Sequence, residues 1–152
     1  MDKIPKMKTS IGICGVFLVC LLSAAAGVPP GWAQDTDVEI ESVYNPPVLV
    51  QAEMCESIER FQPVNPAVVF SISLGRVYCF TSFDPVFEET VMFHRWFRKD
   101  LLISNARLVL NPPKWASFSS MQLRPVDKGP WRVEIVDSRD NLIKTLRFSI
   151  SD

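Results

Sequence analysis

The sequence predicts an all-β fold, a single antiparallel β-sandwich, and three observations lead to that prediction. Hydrophobic residues make up 47% of the 152 residues, which is the composition of one globular domain. Short apolar runs rich in β-branched and aromatic residues recur along the chain. Turn signals separate these runs at intervals of roughly 8–12 residues. Seven to nine short strands with this spacing are typical of an immunoglobulin-like sandwich.

Each predicted strand is a run of apolar or alternating residues that ends at a turn signal. The runs are residues 38–44, 48–60 in their first part, 67–74, 76–82, 89–97, 101–110, 115–123, 131–136 and 142–150. The breaks between them include Asn45-Pro46-Pro47, Gly75, Asp84-Pro85 and Asn111-Pro112-Pro113. Residues 61–66 carry two prolines and predict a loop. The last two runs predict a hairpin around the polar residues 137–141.

Residues 88–110 admit a second interpretation, because they contain neither proline nor glycine and could form an amphipathic helix. As a strand, residues 89–97 would place Met92, His94 and Trp96 on one face. Aromatic and β-branched residues occupy both faces of this strand, and such residues favour a sheet. We therefore expect strands here.

The N-terminus has the order of a secretory signal peptide. Lysines precede an apolar run, residues 11–26, which has sixteen residues without a charge and is short for a membrane span of about 20 residues. Small residues follow, so cleavage is expected after Ala33, or alternatively after Ala26. The predicted organisation is a signal peptide over 1–33, an extension or first strand over 34–50 and the sandwich over 51–152. An uncleaved N-terminal membrane anchor is the alternative.

Charge and glycine content exclude several classes of protein. Sixteen basic residues against seventeen acidic ones give no electrostatic basis for nucleic-acid binding. Loss of the leader would leave only Gly75 and Gly129, whereas a phosphate-cradling loop needs several glycines. We therefore expect no nucleotide cofactor and no nucleic-acid partner. We also expect no membrane span after leader cleavage.

Cys55 and Cys79 are the two cysteines that remain after residue 33. In an exported protein an even pair predicts a disulfide first. Two free buried thiols are the alternative. A zinc site is disfavoured because the chain has one histidine and no paired-cysteine spacing, so we expect no metal.

Several short motifs resemble a bacterial family catalogued as domain of unknown function 2914, over about residues 53–150. The motifs are Cys55-Glu56-Ser57-Ile58-Glu59-Arg60 with Pro63-Val64, Val77-Tyr78-Cys79-Phe80-Thr81, His94-Arg95-Trp96, Trp115 with Ser119-Ser120, Gly129-Pro130-Trp131-Arg132-Val133 with Val136-Asp137, and Leu146-Arg147-Phe148. The resemblance implies a fold and a cell-envelope setting but no activity. This chain has Ala116 and Met121 where the family has basic residues, and the family's glycine after His-x-Trp is replaced near Lys99.

The candidate site residues are the lone histidine and its potential neighbours. His94 is either a pH-sensitive or ligand-contacting group or a half-buried structural one. Ser119 and Ser120 are either nucleophiles that use His94 as base or hydroxyls that satisfy a strand end. Trp115 and Trp96 are candidates for stacking on a sugar, whereas Trp131 alternates with Val133 and Ile135 and is expected in the core.

The sequence thus favours a periplasmic or secreted, non-catalytic binding or accessory module of the bacterial cell envelope. Its expected ligand-binding residues are His94, Trp96, Trp115, Ser119 and Ser120, and its expected ligand is an envelope protein or a glycan. The alternatives are a small envelope hydrolase that uses His94 and a purely structural subunit of an envelope complex. No cofactor is expected in any of the three.

Overall fold

The computed structural model describes residues 44–152, which form nine β-strands and two short 3-10 turns. The predicted leader 1–33 and most of the predicted strand 38–44 lie outside the described residues. The elements are β1 Leu49–Glu59, β2 Gln62–Pro66, β3 Val69–Ser71, a 3-10 turn Ile72–Leu74, β4 Arg76–Phe83, β5 Thr90–Arg98, β6 Leu101–Leu110, β7 Trp115–Gln122, a 3-10 turn Pro125–Asp127, β8 Gly129–Asp137 and β9 Leu142–Ser151.

The strands form two sheets. The first sheet has the order β2-β1-β4-β7, and the second has the order β3-β9-β8-β5-β6. The all-β prediction is confirmed, and residues 88–110 form the two strands β5 and β6 rather than a helix. The predicted hairpin of the last two strands is also confirmed, since Trp131 pairs with Phe148 and Val133 with Leu146.

The prediction of a purely antiparallel arrangement is wrong at one pair. β3 runs parallel to β9, with Val69 opposite Ser149 and Ser71 opposite Ser151. β3 is only three residues long because a 3-10 turn, capped by Ser71, begins at Ile72, and Gly75, at a φ of 69°, ends that turn. The strand predicted over 67–74 is thus a short edge strand followed by a turn. The second sheet is therefore mixed.

The predicted loop over 61–66 is also wrong, because this segment forms β2. β2 pairs with β1 through a two-residue turn, Arg60 and Phe61, whose φ angles are 49° and 57°. Two positive φ angles in such a turn match the twist of a hairpin. The prolines are tolerated because β2 is an edge strand, where a missing N–H need not face a neighbouring strand.

The core lies between the two sheets. One buried cluster combines side chains of the first sheet with aromatic side chains of the second. It contains Met54, Phe70, Val77, Cys79, Trp96, Leu123, Trp131, Val133, Phe148 and Ile150. Phe148 packs against both Trp96 and Trp131, at centroid distances of 6.0 and 6.1 Å. Trp131 is buried, as the alternation predicts.

Two buried aspartates hold loops at opposite ends of β8. The carboxylate of Asp127 accepts hydrogen bonds from the backbone and side chain of Arg124, and these bonds lower its pKa despite burial. Burial acts to raise the pKa of Asp137, but hydrogen bonds from Asn141, the Arg139 backbone and Tyr44 outweigh it and lower the pKa. Both carboxylates therefore act as charged caps of turns.

Candidate functional site

His94, Trp96 and Ser119 meet between the two sheets, although they come from different layers. His94 and Trp96 project from β5 of the second sheet, and Ser119 projects from β7 of the first. Ser119 Oγ lies 2.9 Å from His94 Nδ1 and 3.0 Å from Trp96 Nε1. Thr81 of β4 completes the group, with its Oγ1 3.2 Å from His94 Nε2. We call these four residues the polar cluster.

The hydrogen bonds of the polar cluster define one protonation state of His94. The indole N–H of Trp96 can only donate, so Ser119 Oγ accepts it and directs its own proton to His94 Nδ1. Thr81 donates its hydroxyl proton to the carbonyl of Ser117, so it accepts from His94 Nε2. A neutral imidazole with its proton on Nε2 therefore satisfies every polar atom of the cluster.

Burial favours this neutral form. His94 has no exposed surface, and burial lowers its pKa from 6.5 to about 4. Neither ring nitrogen faces a carboxylate, since its hydrogen-bond partners are the hydroxyls of Thr81 and Ser119. A charged imidazolium would thus be buried without a counter-ion, which is costly.

The Ser119–His94 contact has part of the geometry of an activated nucleophile. The hydroxyl donates to an imidazole nitrogen, as in a serine hydrolase. However, the other imidazole nitrogen bonds to the hydroxyl of Thr81 rather than to an orienting carboxylate. The Ser119 oxygen also accepts the Trp96 N–H within the core. These contacts suit the bridging of two sheets better than attack on a substrate.

Trp115 and Ser120 lie apart from the polar cluster. Trp115 begins β7 and pairs with Phe83, and its side chain is 40% exposed. Ser120 follows Ser119 on β7 and therefore points to the opposite face, where its hydroxyl accepts a hydrogen bond from Arg76. The structure thus brings His94, Trp96 and Ser119 together and does not bring Trp115 or Ser120 to them.

Two of the positions that depart from the family pattern, Ala116 and Met121, lie on opposite faces of β7. Met121 pairs with Val77 and packs against the buried cluster between the sheets. Ala116 is half-buried and pairs with Ser82. A basic residue at position 121 would therefore point between the sheets, whereas one at position 116 would point to the outer face of the first sheet.

An aromatic concavity opens at one end of the first sheet, and the sequence did not point to it. Its volume is about 350 Å³, and Ile58, Arg60, Phe61, Tyr78 and Phe118 line it. The rings of Tyr78 and Phe118 meet edge to face, with centroids 6.1 Å apart. Phe61 is 66% exposed and Phe118 is 41% exposed. Phe61 was missed because it stood in a predicted loop, and only the β1–β2 hairpin carries it beside Phe118.

The predicted disulfide is not formed, and the structure has the alternative of two free buried thiols. The register explains why. Met54 lies directly opposite Cys79, so their side chains share the face that packs into the core. Cys55 is the next residue along β1 and points to the other face, where its thiol approaches the Tyr78 carbonyl. Burial raises the pKa of Cys55 to about 11 and also raises that of Cys79.

Two findings bear on metals and membranes within residues 44–152. In this part of the chain, no three His, Cys, Asp or Glu side chains come close enough together to hold a metal ion. The same residues contain no helix that is long and apolar enough to cross a membrane.

Part of this chain is similar to a known protein family. Residues 89–150 match the family described as "Protein of unknown function (DUF2914)", and no curated protein matches the chain. The match contains His94, Trp96, Trp115, Ser119 and Ser120, but it does not extend to the motifs around Cys55 and Cys79. The predicted resemblance to this family is confirmed over residues 89–150, which span β5 to β9.

Proposed function

We propose that this protein is an exported, non-catalytic binding module of the bacterial cell envelope, and that its ligand is an envelope protein. The aromatic concavity of the first sheet carries the proposal. Its volume of about 350 Å³ is at the lower end of the range for ligand pockets and suits one or two side chains. Exposed aromatic residues on a rigid strand frame are typical of interface anchors.

The chemistry of the lining favours a protein over a glycan. Ile58, Phe61 and Phe118 offer apolar surface, whereas Arg60 and Tyr78 supply the only side-chain hydrogen-bonding groups of this lining. A sugar presents many hydroxyls that need partners, whereas an apolar side chain of a protein needs none. A glycan stacked on Trp115 is the second ligand class that we consider.

We also propose the setting and the finer fold that the sequence predicts. The leader 1–33 is cleaved after Ala33, and the protein acts in the periplasm or is secreted. The sandwich is of immunoglobulin-like type. The strand orders support this. β1-β4-β7 corresponds to strands A, B and E of such a domain, and β9-β8-β5 corresponds to strands G, F and C, with β6 added at the β5 edge.

The test uses photo-crosslinking from the concavity in the native envelope. A photoreactive amino acid replaces Phe118 in one chain and Phe87, an exposed phenylalanine of the β4–β5 loop, in a matched control. We expect one recurrent envelope protein to be crosslinked from position 118 and not from position 87. The purified partner should then bind the wild-type protein in a titration.

Variants decide whether the concavity itself is the binding surface. Phe61→Ser and Phe118→Ser should each lower the affinity for that partner at least about fivefold, since anchor residues contribute roughly 1–3 kcal/mol. Phe87→Ser makes the same chemical change at a side chain that is 57% exposed and should leave affinity unchanged. Equal affinity in all three variants would refute the assignment. Binding to purified envelope glycan that is lost in Trp115→Ala would support the glycan instead.

A hydrolase that uses His94 is the second candidate, and the 2.9 Å contact between Ser119 Oγ and His94 Nδ1 is the observation that favours it. A fluorophosphonate probe labels activated serines. Under the binding-module proposal, Ser119 stays unlabelled and the wild-type protein gives the same signal as Ser119→Ala. Labelling that disappears in Ser119→Ala but persists in Ser120→Ala would favour the hydrolase.

If the protein is instead a purely structural subunit, it should be present at a constant stoichiometry with its partner in the isolated complex.

A further inference from the structure

A second, cationic cavity lies on the outer face of the second sheet. It has a volume of about 190 Å³ and is lined at the β5–β6 turn by Lys99 and Asp100 and on the strands by Phe97, Arg132 and Arg147. Three of these side chains are cationic and one is anionic, and Glu134 pairs with Arg132 beside the cavity, so a net charge of about +1 remains there. This cavity lies on the other sheet from the aromatic concavity.

The two arginines of this cavity face each other on neighbouring strands. Arg132 of β8 lies directly opposite Arg147 of β9, so both side chains project from the same face. Like charges in this arrangement repel, although Asp100 and Glu134 offset part of the charge of Arg132. An oxyanion held between the two guanidinium groups would convert this repulsion into two charge-assisted contacts.

Arg132 is held in place before any ligand arrives. Its guanidinium lies 4.1 Å from the ring centroid of Phe97, its Nε donates to Glu134 at 2.8 Å, and its Nη1 pairs with Asp100. Asp100 is almost fully exposed, so water and salt screen its pairing with Arg132. The carboxylate of Asp100 therefore occupies an oxyanion position beside Arg132, and a bound dianion would displace it.

Arg147 and Lys99 supply the other two positive charges of the cavity lining. Within residues 44–152 neither side chain forms an ion pair with a carboxylate. Lys99 and Asp100 form the two-residue turn between β5 and β6, and their φ angles are 47° and 62°. Such turns favour glycine or asparagine, so this chain has charged side chains at two positions where the backbone prefers small residues.

We infer that this cavity binds the phosphate group of an anionic ligand. Two arginines and a lysine match a tetrahedral dianion better than a singly charged carboxylate, because phosphate offers both the greater charge and more acceptor oxygens. Phe97 and Pro130 form an apolar wall beside the charges, which would contact the organic part of a phosphate ester. The inference does not depend on the proposed function.

The test is a titration of the ¹⁵N-labelled protein with inorganic phosphate at constant ionic strength, with sodium chloride and acetate as separate arms. We expect the Nε–H signals of Arg132 and Arg147 to shift saturably with phosphate, and acetate to bind more weakly. Arg147→Gln and Lys99→Gln should each weaken phosphate binding at least about tenfold, because each substitution removes a charge-assisted contact to the anion.

Arg107→Gln is the matched control, because Arg107 is an exposed arginine of the same sheet face that does not line the cavity. Its phosphate affinity should equal that of the wild-type protein. Shifts that do not saturate, or affinities that are equal in Arg107→Gln and Arg147→Gln, would overturn the site. Acetate binding as tight as phosphate binding would overturn the assignment to phosphate.

Discussion

The hydroxyl of Ser119 lies 2.9 Å from Nδ1 of His94, and this contact joins the two sheets of the domain through the core. The Trp96 indole donates to the same hydroxyl, so one serine satisfies two buried polar side chains. A polar cluster of this kind contributes to stability only when every member is bonded. Its members are therefore expected to affect stability before they affect any function.

Ser119→Ala should destabilise the protein by about 2 kcal/mol. The substitution leaves the N–H of Trp96 and the Nδ1 of His94 in the core without a partner, and an unsatisfied buried group costs roughly 1–3 kcal/mol. The measurement is urea unfolding, read as a fall in the midpoint at constant m-value. Ser120→Ala, on the outer face of the same strand, should change the midpoint little. A loss as large for Ser120→Ala would contradict the cluster as its cause.

The free energy of unfolding should depend on pH through His94. The pKa is about 4 in the folded protein and near 6.5 in the unfolded chain, so the unfolded chain binds the additional proton between these values. Stability is therefore complete above about pH 6.5 and is lost as the pH falls towards 4. The loss amounts to about 3 kcal/mol, because lowering a pKa by one corresponds to roughly 1.4 kcal/mol of free energy.

Urea unfolding at a series of pH values measures this effect, and His94→Gln provides the comparison. Glutamine keeps hydrogen-bonding groups near the hydroxyls of Thr81 and Ser119 but does not titrate. Its stability should change less than that of the wild-type protein between pH 6.5 and 4. The same slope in both proteins would assign the pH dependence to carboxylates such as Asp127 and Asp137.

Both cysteines should be free in the purified protein. Cys55 and Cys79 point to opposite faces of the first sheet, and burial raises the pKa of each, so neither forms a reactive thiolate at neutral pH. A thiol reagent added without reductant should modify both in denaturant and modify them slowly in the native state. Absence of labelling in denaturant would indicate a disulfide and a different register of β1 against β4.

Asp137→Ala should unfold the β8–β9 turn locally and lower stability by about 2–3 kcal/mol. The carboxylate accepts hydrogen bonds from the Arg139 and Asn141 backbone and from Tyr44, and these donors would lose a charged partner. Hydrogen exchange at the Arg139 and Asn141 amides measures the local effect. Asp140→Asn is the control, because Asp140 is exposed and pairs with Arg95 at the surface, and asparagine tolerates its φ of 65°. Equal protection in both variants would refute the capping role.

The sequence by itself determined the elements whose evidence is local. β4 to β9 were predictable because alternation and turn residues act over a few neighbouring positions, and the burial of Trp131 followed from its alternation with Val133 and Ile135. The family resemblance was also predictable from the sequence, because the matching motifs follow one another in order along residues 89–150.

Only the tertiary structure decided which residues meet. Alternation assigns a side chain to a face, but the neighbouring strand and its register set its partner, and a shift of one residue reverses the face. For this reason the sequence could not show that Cys55 and Cys79 point to opposite faces. It also could not show that Ser119 contacts His94 or that Phe61 lies beside Phe118. β2 was missed because the tolerance of a strand for proline depends on its being at a sheet edge, which is a property of the assembled sheet.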